Sequence, residues 1–137
     1  MEITRRDAMI ALLPVLHMAA RAGTAQGTQT PVPPLLQQDL PNLTLDGWQV
    51  TASEITLAPG AASRPHRHPG FVLVYIIEGE VVAKISGGSE TSYKAGQMFY
   101  ETPGSTHEIN RNPSATRPAR FLAMIFAKKG EPLTTPA

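Results

Sequence analysis

Residues 60–88 read GAASRPHRHPGFVLVYIIEGEVVAKISGG. Phe71 to Ile77 is an unbroken apolar run rich in Val, Ile and Tyr, and Glu78-Gly79 stops it. A run this short, bounded by turn residues and enriched in β-formers, predicts a buried strand rather than a helix. Glu80 to Ser86 then predicts a second strand, and Gly87-Gly88 a two-residue hairpin turn of the kind that requires positive φ.

The same pattern continues outward in both directions. Upstream, Trp48 to Leu57 is a strand candidate ended by Ala58-Pro59-Gly60. Downstream come Ser89 to Lys94, then Met98 to Glu101 ending at Pro103-Gly104, then His107 to Asn110, and a last long strand over Ala119 to Ala127. No window from residue 48 onward has a 3.6-residue period. Short strands at roughly ten-residue spacing predict a sandwich or closed barrel, and closure removes exposed sheet edges. Thirteen prolines and eleven glycines in 137 residues agree with a turn-rich, all-β single domain.

Three histidines lie within this region. In His66-Arg67-His68 two imidazoles stand at i and i+2, so on a strand both share one face while Arg67 takes the other. His107 follows the turn Pro103-Gly104-Ser105-Thr106. An isolated histidine is usually a hydrogen-bonded core or surface residue, but imidazoles can also supply a metal's whole protein shell. The chain has no cysteine, which excludes both a disulfide framework and a thiolate site. Because imidazole binds metal only when neutral, occupancy of such a site is expected to fall below pH ~6.

Gly60, His66-x-His68 and Gly79 resemble the first motif of the cupin family, and Gly96 with Gly104-Ser105-Thr106-His107 resembles the second. His66 to Gly70, Tyr75 to Gly79 and Tyr100 to His107 are similar to segments of small bacterial one-domain cupins. The resemblance implies a jelly-roll barrel holding one divalent transition metal, Mn, Fe, Zn, Ni or Cu, on His66, His68 and His107. Two positions depart from the family pattern. The first motif's glutamate, expected with three or four residues between it and the second histidine, is replaced by Val72 and Leu73, and the second motif's usual first proline is Thr102. The resemblance then implies a three-histidine shell with open positions for water, substrate or O₂. Glu101, near His107 across the turn, is the candidate acid/base group or extra ligand.

The +1 formal charge arises at the N-terminus, where Arg5, Arg6 and Arg21 outnumber Glu2 and Asp7 and the remainder balances. A nucleic-acid partner needs a concentrated basic footprint, which this chain lacks. Thr4-Arg5-Arg6-Asp7 precedes an apolar stretch, Ala8 to Ala20, too short to span a ~30 Å bilayer core. Residues 1–25 therefore read as a twin-arginine-type signal peptide, with an amphipathic helix on the barrel as the structural alternative. The remaining divisions are a linker and N-terminal arm over 26–47, a barrel over 48–128 and a C-terminal tail over 129–137. Leu35 to Leu43 is suited to pair as an edge strand, on its own barrel or on a neighbouring subunit, and a homodimer is expected. The expected protein is periplasmic or secreted and off the membrane once processed. Its expected function is that of a metal-dependent dioxygenase, lyase or isomerase acting on a small molecule. The alternatives are a non-catalytic ligand-binding or metal-sequestering cupin and a structural dimer.

Overall fold

The computed structural model describes residues 32–137, so the proposed signal peptide and the start of the linker lie outside the described residues. Nine strands account for the regular structure there: β1 (Trp48–Leu57), β2 (His66–Arg67), β3 (Phe71–Glu78), β4 (Glu80–Ile85), β5 (Thr91–Lys94), β6 (Met98–Glu101), β7 (Thr106–Arg111), β8 (Ala119–Lys128) and β9 (Thr135–Pro136). They form two sheets, ordered β1-β8-β3-β6 and β5-β4-β7-β2-β9. Every pairing is antiparallel. The all-β fold expected from the sequence is the one observed.

Side-chain alternation sorts the residues. Along β8 buried and half-buried positions alternate without a break from Ala119 to Ala127, as the pleat requires. The odd-numbered residues Phe121, Ala123 and Ile125 face Val72, Val74 and Ile76 of β3, and Phe99, Val81 and Ala83 complete the core. Fully burying each of the larger of these side chains contributes about 1.5–3 kcal/mol. The even-numbered residues Leu122, Met124 and Phe126 lie on the outer face, beside Leu73 and Tyr75.

Two backbone features shape the barrel near the histidines. A Cβ on Gly70 would stand 1.7 Å from the carbonyl oxygen of Phe126, so β3 can begin this close to β8 only because residue 70 has no side chain. The second feature is a bulge in the β4–β7 ladder. Lys84 pairs with Ile109 and Ile85 with His107, leaving Glu108 as the extra residue. The bulge reverses strand parity, and His107 and Asn110, an odd and an even position, are both buried.

The segment 129–137, read from sequence as a tail, returns to the five-stranded sheet. Its β9 pairs with β2, Pro136 opposite His66 and Thr135 opposite Arg67. At the far end, Asn112 is 2% exposed and its amide donates to the carbonyls of Leu57, Ala58 and Arg117. That single side chain ties the loop before β8 to the end of β1.

Candidate metal and ligand site

The three histidines and Glu101 meet at one end of a cavity between the sheets. β2 and β7 pair with His66 directly opposite His107, which brings their ring centroids to 5.1 Å. His68 lies just beyond β2 and keeps the face of His66, their centroids 5.0 Å apart and nearly perpendicular. Arg67 points away, as the i, i+2 argument requires, and its Nε donates to Thr106 Oγ1 at 2.9 Å. Glu101 arrives from the opposite sheet and is 3% exposed.

The direction of Glu101 follows from the β3–β6 register, in which Glu101 pairs with Val72. Directly paired residues of adjacent strands project to the same face. Val72 is 1% exposed and inward, so Glu101 is inward too. The carboxylate absent from position 72 is thus present one strand over, on the same rung. Its Oε1 lies 3.1 Å from His107 Nδ1 and its Oε2 lies 3.8 Å from His68 Nε2.

Each imidazole has an oxygen at Nδ1: His66 the Arg64 carbonyl at 2.8 Å, His68 the Leu133 carbonyl at 2.6 Å, and His107 the Glu101 carboxylate at 3.1 Å. A carbonyl oxygen can only accept, so in His66 and His68 the proton sits on Nδ1 and the Nε2 lone pair is free. An oxygen partner at one ring nitrogen is the usual companion of metal ligation at the other. Burial pushes the His66 pKa down; the Arg64 carbonyl and Glu101 partly oppose this, and His107 and His68 reinforce it. His66 is therefore neutral, as a ligand must be, at neutral pH.

Among the described residues, no group of three or more His, Asp or Glu side chains is placed to hold a metal ion as they stand. The donor set nevertheless fits a divalent metal. Three imidazoles and one carboxylate converge, and the buried His107 Nε2 has no hydrogen-bond partner. A buried lone pair left unsatisfied is uncommon and is relieved by a cation or a donor.

The cavity beside these residues has a volume of about 330 Å³. Ile55, Leu57, Val74, Phe121, Ala123 and Ile125 give it an apolar wall, and Ser53, Ser63, Asn110 and Thr134 add polar groups. A hollow of about 690 Å³ shares Ser63, His66 and Thr134 with it and brings Arg64 to the same end of the barrel. Another hollow, bounded by Gly79, Lys94, Pro113 and Arg117, contains none of the histidines. The three histidines and Glu101 singled out in the sequence line this cavity, as do Leu133, Thr134, Asn110, Ser53 and Ser63, which the sequence did not single out. The C-terminal pair carries no motif, and Asn110 turns inward only because of the bulge.

A protein-family profile described as "Cupin domain" matches residues 53–125. No curated protein matches the chain. Among solved structures, the chain is similar to DMSP lyase DddQ from Ruegeria pomeroyi DSS-3, at 19% identity and a TM-score of 0.56, covering 64% of this chain and 43% of the lyase. It is also similar to an uncharacterized conserved protein with a double-stranded β-helix domain from Klebsiella pneumoniae, at 24% identity and TM-score 0.55, covering 64% and 74%. A third is a predicted oxalate decarboxylase from Thermotoga maritima, at 26% identity and TM-score 0.51, covering 61% and 69%. This chain thus spans less than half the length of the lyase.

Proposed function

Because this chain belongs to the cupin family, we propose that it is an exported metal-binding cupin acting as a metal-dependent enzyme on a small organic substrate. The observation that carries this reading is the convergence of three imidazoles, each with an oxygen at Nδ1, and a buried carboxylate on one apolar cavity. His66, His68 and His107 would hold one divalent transition metal, and the metal would supply Lewis-acid or O₂ chemistry. The chain's own groups do the rest. The Arg64 and Leu133 carbonyls keep the His66 and His68 lone pairs on Nε2. Glu101 orients His107 and stands within reach of a proton transfer in the cavity. The likeness to a predicted oxalate decarboxylase gives further support to chemistry on a small acid.

The outer face of the four-stranded sheet supports a homodimer as the working assembly. Leu73, Tyr75, Met98, Tyr100, Leu122 and Met124 lie half-buried on it. Export rests on Arg5, Arg6 and the apolar stretch that follows them.

Elemental analysis of the purified protein tests the central reading. One divalent ion per subunit is expected, falling sharply in His66→Ala and His107→Ala. Full occupancy in His107→Ala would remove that residue from the site.

A further inference from the structure

We infer that Asn110 is the ligand-recognising residue of this cavity, accepting a hydrogen bond from the hydroxyl of a short hydroxy acid whose carboxylate faces the three imidazoles. Asn110 lies on β7 three residues beyond His107, roughly 10 Å along an extended strand and somewhat less across the bulge. It is 7% exposed and lines the cavity, and its Oδ1 is buried with no hydrogen-bond partner.

The contrast with its neighbour Asn112 isolates the point. Asn112 is also buried and fully used, its amide spread over three carbonyls and its Oδ1 accepting from the Ser114 N–H. Asn112 holds the fold together; the Asn110 Oδ1 holds nothing in the protein. A buried amide oxygen without a donor costs roughly what a missing hydrogen bond costs, and such groups persist where a ligand completes them. The bulge at Glu108 is what turns this side chain inward, so the local backbone irregularity serves the cavity.

The missing partner is a donor, which identifies a hydroxyl or N–H on the ligand rather than a carbonyl. The apolar wall of the cavity that Asn110 and the histidines share matches a short hydrocarbon segment, and its volume of about 330 Å³ lies at the small end of ligand cavities. Arg64 at the rim of the adjoining hollow, together with the divalent cation that the three neutral imidazoles would hold, favours an anionic group at the other pole. A hydroxy acid of four or so carbons satisfies both ends. This assignment rests on the proposal that the cavity binds a small organic molecule, and its test is separable from that of the metal.

After metal content is measured, calorimetry compares 3-hydroxybutyrate with butyrate on the wild-type protein and on Asn110→Leu, with Asn110→Ala as the substitute if the leucine variant does not fold. Wild type is expected to bind the hydroxy acid roughly tenfold more tightly. The variant should bind both acids alike, with wild-type metal content and, without ligand, a Tm raised by roughly 2–6 °C because an unpaired buried polar group has been removed. A hydroxyl preference that is lost in Asn110→Leu supports this assignment whether or not the protein carries metal, while metal content alone tests the metal site. Equal binding of the two acids by wild type, binding of neither, or a preference that survives in Asn110→Leu would overturn it. So would a variant of lowered Tm without any wild-type hydroxyl preference, which would assign the amide to a trapped water.

Discussion

Glu101 and Val72 face each other across one rung of the β3–β6 ladder, and their pairing changes what the missing glutamate means. A carboxylate at position 72 or at position 101 would project into nearly the same volume, so the site keeps its acid while taking it from another strand. Glu101→Ala is expected to lower metal affinity about 10–100-fold, the usual effect of removing the group that orients a ligating histidine. Glu101→Gln keeps an oxygen acceptor for His107 Nδ1 and should retain the metal while losing proton-transfer activity. The exchange Val72→Glu with Glu101→Val should restore metal binding, as read by competition with a chelator. Unchanged affinity in Glu101→Ala would show that the carboxylate is only a buried spectator. The sequence identified Glu101 by proximity to His107, but its direction depended on a register set across Pro103-Gly104, where counting parity fails. Only pairing with a strand of known facing supplies it.

At the level of elements, β9 is the least conspicuous part of the sheet and one of the most consequential for the site. Two residues long and containing a proline, it has no strand signature, which is why the sequence reads there as a tail. Yet the carbonyl at Nδ1 of His68 belongs to Leu133, just before it, and Thr134 Oγ1 stands 3.4 Å from the same nitrogen. Deleting residues 131–137 should leave a cooperatively folding barrel with metal affinity reduced about tenfold, since His68 loses the group that fixes its tautomer and its ring. Wild-type affinity in the truncated protein, measured by metal titration, would refute this role. The β7 bulge was illegible for a different reason. Glu108 carries no glycine or proline to mark it, and the irregularity exists only relative to β4. The long strands β3 and β8, by contrast, were readable to within one residue, because apolar content and turn residues mark them locally.

For the molecule as a whole, the outer face of the β1-β8-β3-β6 sheet carries a run of half-buried apolar side chains. Hydrophobic patches of this kind on a sheet mark association surfaces. Leu122→Asp together with Met124→Glu should convert a dimer to a monomer in light scattering with the metal still bound. An unchanged mass would move the interface elsewhere. The barrel itself was foreseeable because two histidine motifs and a chain of short strands agree with one another. Whether and how two copies associate is not legible in the same way, since periodicity shows that a face is apolar and not what covers it. The β1–β8 ladder, ten rungs long from Trp48↔Lys128 to Leu57↔Ala119, has one more consequence. It joins stretches separated by about 70 residues, so its loop-closure entropy must be met before any rung is gained, and folding of such topologies is slow. If the protein is exported in a folded state, as proposed, β1 would have to close onto β8 before it leaves, and the rate of that pairing would bound the rate of departure.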